Sequence, residues 1–408
     1  MDRAPAGTHG YSAKSEWKIT DKAGDRREQG IKRMEKKKVT NMEVKKKNRN
    51  RVFRYICRHE TVSNPDISYD LKISLPTATQ ITKELIEQGL VEEKGELDST
   101  GGRRAKALSA AANAKLAAGL DITKNHITFA LTNIRGELIK YERIYQPFMP
   151  EDTYYCKVNE KLEHFLEESE AGRDKILGVG ISFPGIINLD RELITYSHVL
   201  GVEVVPLASV SRYFSYPCTF LNDANAGAYA EGFGGDKTEE FFYLSLSNTV
   251  GGAVFGKNEL VQGKNFRCGE AGHMTIVVDG EKCYCGKKGC LDAYCSALRL
   301  SDAAGGKLEQ FFSLLDQGQE QALKIWDFYT TYLAVAVNNI HMILDCDVIL
   351  GGYVGSYMGV HLQDVWEKAA ERNTFEEKSS YIRVCNYKVA AAALGAALKV
   401  MEGFISGV

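Results

Sequence analysis

The sequence predicts a mixed α/β protein in which a small basic module precedes a larger body made of two lobes. Charge is the first observation: residues 1–110 hold 24 Lys and Arg against 16 Asp and Glu, whereas the remaining residues hold 27 against 37. Segment order is the second, because strand-like and helical stretches alternate from residue 116 onward and a hairpin opens each half. Such alternation is typical of α/β lobes that enclose a cleft.

The composition limits the class of protein. A chain of 408 residues is long enough for two or three domains, and 44% hydrophobic with 25% charged residues is ordinary for a soluble globular protein. The sequence has no run of about 18 apolar residues and no apolar signal-peptide core, so we expect neither a membrane span nor secretion. Seven of the ten cysteines are scattered, which fits a reducing cytoplasm.

Four segments are predicted along the chain. Residues 1–37 are polar, lack periodicity and mix both signs of charge, which is typical of a disordered tail, here a basic one. Residues 38–110 are expected to form the basic module, residues 111–235 the first lobe, and residues 236–408 the second lobe. We expect the last helix of the chain to pack back on the first lobe.

Three helices are predicted within the basic module. Ser63 and Ser74 are helix-capping residues, each followed two positions later by a proline, so they mark the starts of the second and third helices. Gly89 ends the third helix at the C′ position. Apolar residues at helical spacing form the buried sides of the first helix (Val52, Phe53, Ile56, Cys57) and of the third (Ala78, Ile81, Leu85, Ile86).

A short helix, a tight turn and a second helix are the helix-turn-helix pattern, and strands on both sides of residues 92–104 add a wing. Polar residues off the apolar stripe of the third helix are suited to base edges and phosphates, and wing arginines to a minor groove. The alternative is a small helical protein-interaction domain. The predicted DNA contacts are Ser74, Thr77, Thr79, Gln80, Lys83, Arg103 and Arg104.

The sequence pattern predicts that the body consists of two similar halves. The first opens with strands at 116–122, 126–133 and 137–145, followed by a helix over about 152–171, a buried strand at 176–183, and a small-residue helix at 226–232. The second opens with strands at 241–246 and 250–255. We therefore predict two α/β lobes with a cleft between them.

A cysteine run in the second half predicts a metal site. Cys283, Cys285 and Cys290 form a C-x-C-x4-C run, and His273 lies ten residues upstream. Three thiols and one imidazole are the ligand set of a tetrahedral Zn²⁺, and a closed set of four indicates a structural zinc. The alternative is three unrelated buried cysteines.

The body resembles the ROK family (repressors, open reading frames and sugar kinases), which has a two-lobed actin-like, ribonuclease-H-like ATPase fold. The winged helix-turn-helix in front matches the repressor branch, the NagC/XylR-like transcriptional regulators. The resemblance spans residues 40–405. Its motifs are Asn222–Ala226, Glu270 to His273, the cysteine run with Gly286 and Gly289, and Val348–Gly352.

The resemblance implies a sugar site. In the family's kinases, the Asp at the position of Asp223 removes a proton from the sugar hydroxyl that attacks ATP. The implied sugar contacts are Asn222, Asp223, Glu270, His273 and Asp292. The family has Glu where this chain has Asp292, so the reach of that side chain differs. Without a ligand, Asp223 would be only a capping residue of the helix that follows.

Two loops depart from the kinase pattern. The family's kinases carry glycines in the first hairpin, whereas this chain has Asp121–Asn125 with none there. In the second loop, 247–253, two leading glycines and the last one are replaced, so side chains stand where backbone N–H groups approach phosphate. We therefore predict no kinase activity and a vestigial role for Asp223. Val199 also replaces a family Asn, so the identity of the sugar is not transferred.

These observations predict a cytoplasmic, sugar-responsive transcriptional repressor of carbohydrate-utilisation genes, with no kinase activity. Its expected partners are operator DNA, a sugar or sugar-derivative effector, and further copies of itself in a homodimer or homotetramer, with no membrane. Structural Zn²⁺ is the expected cofactor. The alternatives are an ATP-dependent sugar kinase with an appended DNA-binding module, and a repressor whose signal is a protein. Repressor and activator are not distinguished by the sequence.

Overall fold

The computed structural model describes residues 41–97, 105–235 and 239–408. The predicted tail, residues 1–37, and the two predicted wing contacts, Arg103 and Arg104, lie outside the described residues. Within the described part, the fold is the predicted mixed α/β arrangement with helices at the N-terminal end.

The basic module contains three helices and a hairpin. The helices are α1 (Asn41–Arg58), α2 (Asn64–Leu71) and α3 (Leu75–Glu87), and the antiparallel strands are β1 (Val91–Glu96) and β2 (Lys106–Ala110). Ser63 caps α2 in a reciprocal capping box with Asp66, and Ser74 caps α3 through the backbone N–H of Thr77. These caps lie where the sequence predicted them, because capping is a local property of the chain.

The first lobe contains eight strands and three α-helices among the described residues. The elements are β3 (Leu116–Ile122), β4 (His126–Asn133), β5 (Leu138–Tyr145), α4 (Asp152–Glu168), β6 (Ile176–Phe183), β7 (Ile186–Asn188), β8 (Leu193–Ser197), β9 (Val202–Pro206), α5 (Leu207–Ser211), β10 (Cys218–Asn222) and α6 (Asp223–Gly232). Five of the strands form one sheet in the order β10-β6-β3-β4-β5. The three short strands β7, β8 and β9 form a separate antiparallel sheet.

The second lobe repeats this plan. Its elements are β11 (Phe241–Leu246), β12 (Val250–Gly256), β13 (Glu259–Val261), α7 (Leu291–Cys295), α8 (Leu298–Ser301), α9 (Leu308–Asp316), α10 (Glu320–Leu344), β14 (Asp347–Gly351), α11 (Gly352–Gly355), α12 (Met358–Ala370), β15 (Ile382–Val384) and α13 (Ala391–Gly407). The sheet order is β13-β12-β11-β14-β15. In both lobes an antiparallel meander is extended on one side by two parallel strands.

Helix α13 packs on the sheet and on α6 of the first lobe. The approach is close: a Cβ added at Gly180 would lie 1.9 Å from the carbonyl oxygen of Ala396, and one at Gly395 would lie 1.7 Å from that of Ala226. Backbone contact of this kind requires glycine. Among the described residues, one stretch, Lys388–Gly407, is long and apolar enough to cross a membrane, and more than half of it is buried inside the protein.

Helix α6 begins earlier than predicted. The sequence indicated a start near Ala226, whereas the helix starts at Asp223 and its N-cap is Asn222. Asn222 accepts a hydrogen bond from the backbone N–H of Asn225 through Oδ1, at 3.1 Å. Asn222 and Asp223 therefore lie at the start of α6, where strand β10 ends at the cleft.

Candidate functional site

The predicted metal ligands come together in the loop between β13 and α7. One donor atom each from His273, Cys283, Cys285 and Cys290 lies within 4.8 Å of the other three. The Sγ atoms of Cys285 and Cys290 are 3.8 Å apart. Two thiolates bound about 2.3 Å from a tetrahedral ion are separated by roughly this distance. The four residues could therefore hold a metal ion, and their chemistry suits zinc.

The loop around these ligands needs its glycines. Gly286 and Gly289 have φ angles of 85° and 78°, a region that other residues adopt at a cost. At Gly289 a Cβ would also lie 1.7 Å from the carbonyl oxygen of Val277. This close fit brings the chain back past itself between the second and third cysteines.

An aromatic contact joins the cysteine loop to the first lobe, and sequence reasoning missed it. The ring of Tyr284 stacks on that of His198, with 4.3 Å between centroids and 20° between planes. The hydroxyl of Tyr284 lies 3.3 Å from Nε2 of His273. His198 follows strand β8, so these rings bridge the two lobes at the cleft mouth. No spacing rule links residues so far apart in sequence, and only the fold could reveal the pair.

Asn222 has two structural roles at the cleft. Besides capping α6, its Nδ2 donates to the carbonyl oxygen of Gly185 at 3.0 Å. That bond fixes the turn after β6. The neighbouring Asp223 is partly exposed and lies with Asp121 and Pro184 around a small cavity of about 60 Å³.

Burial shifts the carboxyl groups of the cleft toward their neutral forms. Burial and, second to it, the nearby Asp121 carboxyl together raise the pKa of Asp223 to about 7. Asp121 is buried beside Ser182, whose hydroxyl donates to its Oδ1 at 2.8 Å, and burial raises the pKa of Asp121 to about 6. Burial also raises the pKa of Glu270, which lies at the exposed rim of the cleft. The cleft thus concentrates carboxyl groups that can accept hydrogen bonds from hydroxyls.

Asp292 is buried, unlike Asp223 and Glu270, and it makes a hydrogen bond to the backbone. Only 5% of the residue is exposed, and its Oδ2 accepts a hydrogen bond from the backbone N–H of Val250 at 2.6 Å. The carboxylate thereby fastens α7 to the start of β12. Its contact with a sugar stays a prediction, as do those of the other four residues.

Side chains from the first hairpin of each lobe line the small cavity. The small cavity around Asp223 is also lined by Thr123 and Lys124 of the first hairpin and by Asn248 and Thr249 of the second. The ring of Tyr353, covered by the guanidinium of Arg143 at 5.0 Å, lies on its other side. About 60 Å³ is far below the roughly 300 Å³ at which ligand pockets begin.

The predicted DNA-contact residues of α3 present mixed exposure. Thr79, Gln80 and Lys83 are exposed, whereas Thr77 is half-buried and its hydroxyl lies 2.7 Å from that of Ser74. Thr82, which sequence reasoning left out of the buried side, is 2% exposed and donates to Asn64 of α2. The exposed polar surface of α3 is therefore centred on Thr79, Gln80 and Lys83.

An ion pair connects the basic module to the body. Nη1 of Arg54 in α1 donates to Oε2 of Glu402 in α13 at 2.8 Å, and Nη2 donates to Glu402 and to the hydroxyl of Ser406. The Arg49 and Asn50 side chains donate to carbonyl oxygens at the end of α13. Because α1 and α13 also share an apolar cluster, the module is joined directly to the helix that packs on α6.

The ionisation of Asp223 gives a testable effect on stability. The pKa of Asp223 is about 7 in the folded chain and near 4 in the unfolded chain, so its ionisation favours unfolding. The free energy of unfolding therefore falls as pH rises from about 4 to about 7, and the full loss is present above pH 7. We expect Asp223→Asn to raise the free energy of unfolding by about 1–3 kcal/mol at pH 8, since an amide does not ionise. Urea unfolding at pH 8 and at pH 4 measures this. An equal gain at both pH values, or none at pH 8, would contradict it.

A two-lobed α/β body with paired five-stranded sheets and a Cys3His loop, joined to a winged helix, defines a sugar-kinase-like scaffold with an added module. The chain belongs to the ROK family, because the model of that family matches residues 117–402. It is similar to a xylose repressor of Caldicellulosiruptor bescii, at 31% identity over 289 residues that cover 70% of each chain.

The solved structures that share the fold include a regulator and a kinase. A ROK family transcriptional regulator, a homologue of the Escherichia coli MLC protein, superposes with a TM-score of 0.71 and 19% identity, covering 89% of this chain and 97% of that one. A ROK family glucokinase of Streptomyces griseus, in complex with glucose and AMPPNP, has a TM-score of 0.60 and 20% identity, covering 71% of this chain and 100% of its own. The fold thus occurs in both regulators and kinases.

Proposed function

We propose that this chain is a sugar-responsive transcriptional repressor of carbohydrate-utilisation genes. The basic module binds operator DNA through α3, and a sugar occupies the cleft at Asn222, Asp223 and Glu270. Three findings support this: membership of the ROK family, similarity to a xylose repressor over 70% of the chain, and a fold likeness that extends over 89% of the chain to a transcriptional regulator.

Helix α13 contacts both the DNA-binding module and the helix that holds the predicted sugar residues. Helix α13 contacts α1 through Arg54 and Glu402, and it contacts α6, whose first turn holds Asn222 and Asp223, through backbone at Gly395. A sugar that shifts α6 must move α13, because helices in backbone contact cannot slide freely past each other. The movement then reaches α1 and changes the placement of α3 on DNA.

The metal is proposed to be a structural zinc. His273, Cys283, Cys285 and Cys290 would hold it, and the ion would keep the loop that carries Glu270 and His273 in place. With four protein ligands it leaves no open position for catalysis. We further propose that the protein is cytoplasmic and forms a homodimer or homotetramer, in which a pair of winged helices binds two half-sites at a fixed separation.

The absence of kinase activity is part of the proposal. Its support is the small cavity beside Asp223 and the side chains of Thr123, Asn248 and Thr249 around it. Coupled ADP release with hexoses and hexosamines tests it directly. Turnover at an enzyme-like rate with any one of these sugars would favour the alternative, a sugar kinase with an appended DNA-binding module.

Substitutions on α3 test the DNA interface. We expect Gln80→Ala to weaken binding to the gene's own upstream DNA by about 1–3 kcal/mol and to relax its sequence preference, because the amide side chain suits base edges. We expect Lys83→Ala to weaken binding to all sequences alike and to lower the salt slope by about one, because a phosphate contact is lost. Electrophoretic shifts at several salt concentrations measure both.

The control for this experiment is Lys161→Ala, an exposed lysine on α4 in the body. It removes the same charge without touching the module. If the control reduced binding as much as Lys83→Ala, a general charge effect would replace the proposed interface. The alternative is a repressor whose effector is a protein. Such a repressor would bind DNA normally, but calorimetry would detect no heat on addition of any sugar.

A further inference from the structure

A second, much larger cavity opens beside the predicted sugar residues. It has a volume of about 650 Å³, and Asn222 and Glu270 are among the residues that line it. Glu402, Gly403 and Ser406 of α13 line it as well. Glu402 and Ser406 are also the residues that hold Arg54 of the basic module. The cavity is therefore lined both by predicted sugar contacts and by residues of the ion pair that joins body and module.

The size of this cavity exceeds what one monosaccharide needs. Pockets of about 300–1,000 Å³ enclose ligands of drug size. A cavity of about 650 Å³ is in the middle of this range and is more than ten times the volume of the small cavity beside Asp223. A single sugar ring held at Asn222 and Glu270 would leave the part near α13 to solvent.

The walls alternate between apolar and hydrogen-bonding side chains. Leu260 and Phe266 offer apolar surface, and Gln262 and Asn258 offer amides. The Oδ1 atom of Asn258 is buried and has no hydrogen-bond partner among the described residues, although buried polar atoms are normally paired. Carbohydrates present both apolar ring faces and hydroxyl groups, so they match such walls.

The walls hold more acidic than basic side chains. Glu259, Glu270 and Glu402 line the cavity, and Lys399 is the one cationic side chain among its described lining residues. Glu402 is already paired with Arg54, which leaves two carboxylates, those of Glu259 and Glu270, against one ammonium group. A phosphate or carboxylate on the ligand would meet this small excess of negative charge, so the walls favour a neutral molecule with many hydroxyl groups.

We propose that the effector is a neutral glycoside of at least two linked sugar units. This inference rests on the proposed function and deepens it. The first unit lies at Asn222 and Glu270, and the second extends through the cavity to α13. There it reaches Glu402 and Ser406, so the linked sugar contacts the pair that holds Arg54. A monosaccharide fills the first position alone and binds more weakly.

Calorimetry with matched sugars tests the proposal on the full chain. The probes are xylose with xylobiose, glucose with cellobiose, and N-acetylglucosamine with chitobiose. For one pair, we expect the disaccharide to bind at least about tenfold more tightly than its monosaccharide. Equal affinity within every pair, or tighter binding of a monosaccharide, would overturn the proposal.

A variant that fills the cavity provides a second test of the glycoside proposal. Gly403 lines the cavity, and among the described residues no heavy atom lies within 4 Å of a Cβ added there. Gly403→Phe places a ring in the cavity, and Gly403→Ala is the matched control that adds one methyl group to the same helix. We expect Gly403→Phe to abolish the advantage of the disaccharide, with the alanine variant keeping most of it.

The outcomes separate this inference from the proposed function. If a monosaccharide binds the protein and causes it to release DNA, and a second sugar unit adds no affinity, the repressor function is supported and the glycoside proposal is wrong. If the disaccharide advantage survives Gly403→Phe, the second unit lies elsewhere and the proposal is wrong. Should no sugar of either length bind or change DNA affinity, the proposed function itself fails, and the inference fails with it.

Discussion

Arg54→Ala is expected to leave sugar binding in place but to abolish most of its effect on DNA. In the intact protein, sugar should change operator affinity by about 5–150-fold, the usual range of coupling between two sites. Without the Arg54 guanidinium, α1 loses its charged contact with Glu402 and Ser406 on α13. We expect the change to fall below about threefold. Fluorescence anisotropy of labelled operator, with and without sugar, measures it.

A matched control removes an arginine ion pair elsewhere on the body. Arg173 pairs with Glu163 at 2.7 Å, on the surface of the first lobe. Arg173→Ala should keep the full response to sugar. A double-mutant cycle with Arg54→Ala and Glu402→Ala adds a stricter test, because residues that act as one contact give non-additive effects. A full response to sugar in Arg54→Ala would show that coupling takes another route.

Loss of the metal is expected to have the second large effect. We expect the purified chain to contain about one Zn²⁺, and Cys290→Ser to lose it and to lower the melting temperature by about 5–10 °C, because binding energy of a structural ion is folding energy. Sugar affinity should fall at least about tenfold, since Glu270 and His273 lie in the same loop. Elemental analysis, thermal unfolding and calorimetry measure the three effects.

Cys156→Ser is the control for this substitution, because Cys156 is an exposed cysteine on α4 and lies outside the cluster. It should keep the metal and the melting temperature. Wild-type protein that carries no metal after purification without chelator, yet binds sugar as well as zinc-loaded protein does, would contradict a structural zinc.

The parts of the fold that could be predicted from sequence are those set by local signals. Ser63 and Ser74 cap their helices as predicted, because a cap depends on a few neighbouring residues. Strands β3 and β4 have the predicted bounds, since alternation and turns are also local. The grouping of the Cys3His side chains, which could hold a metal ion, was also predictable, because three of the four residues lie within eight positions of one another.

The parts that could not be predicted depend on the approach of distant segments. The packing of the last helix on the first lobe was an expectation, but the glycines that permit it, Gly119 and Gly180 on two strands far from α13 in sequence, were not identified. The stack of His198 on Tyr284, the bond from Asn222 to Gly185, and the pair of Arg54 with Glu402 are likewise long-range. A sequence pattern records the chemistry of each residue but not its partner across the fold.

The start of α6 shows how a local signal can be assigned to the wrong residue. Asn222 and Asp223 are both good capping residues, and the choice between them depends on backbone direction at the end of β10. The structure assigns the cap to Asn222, which leaves Asp223 inside the first turn. Its carboxyl group therefore lies in the cleft near Asp121, where burial first and the Asp121 carboxyl second raise its pKa.

A titration of the gene's own upstream DNA with the full chain, with and without neutral sugars and in the absence of ATP, tests the sugar-responsive repressor most directly. We expect salt-sensitive, sequence-preferring binding that one class of sugar weakens by at least about fivefold. Binding that no sugar changes, or that changes only while ATP is consumed, would contradict it.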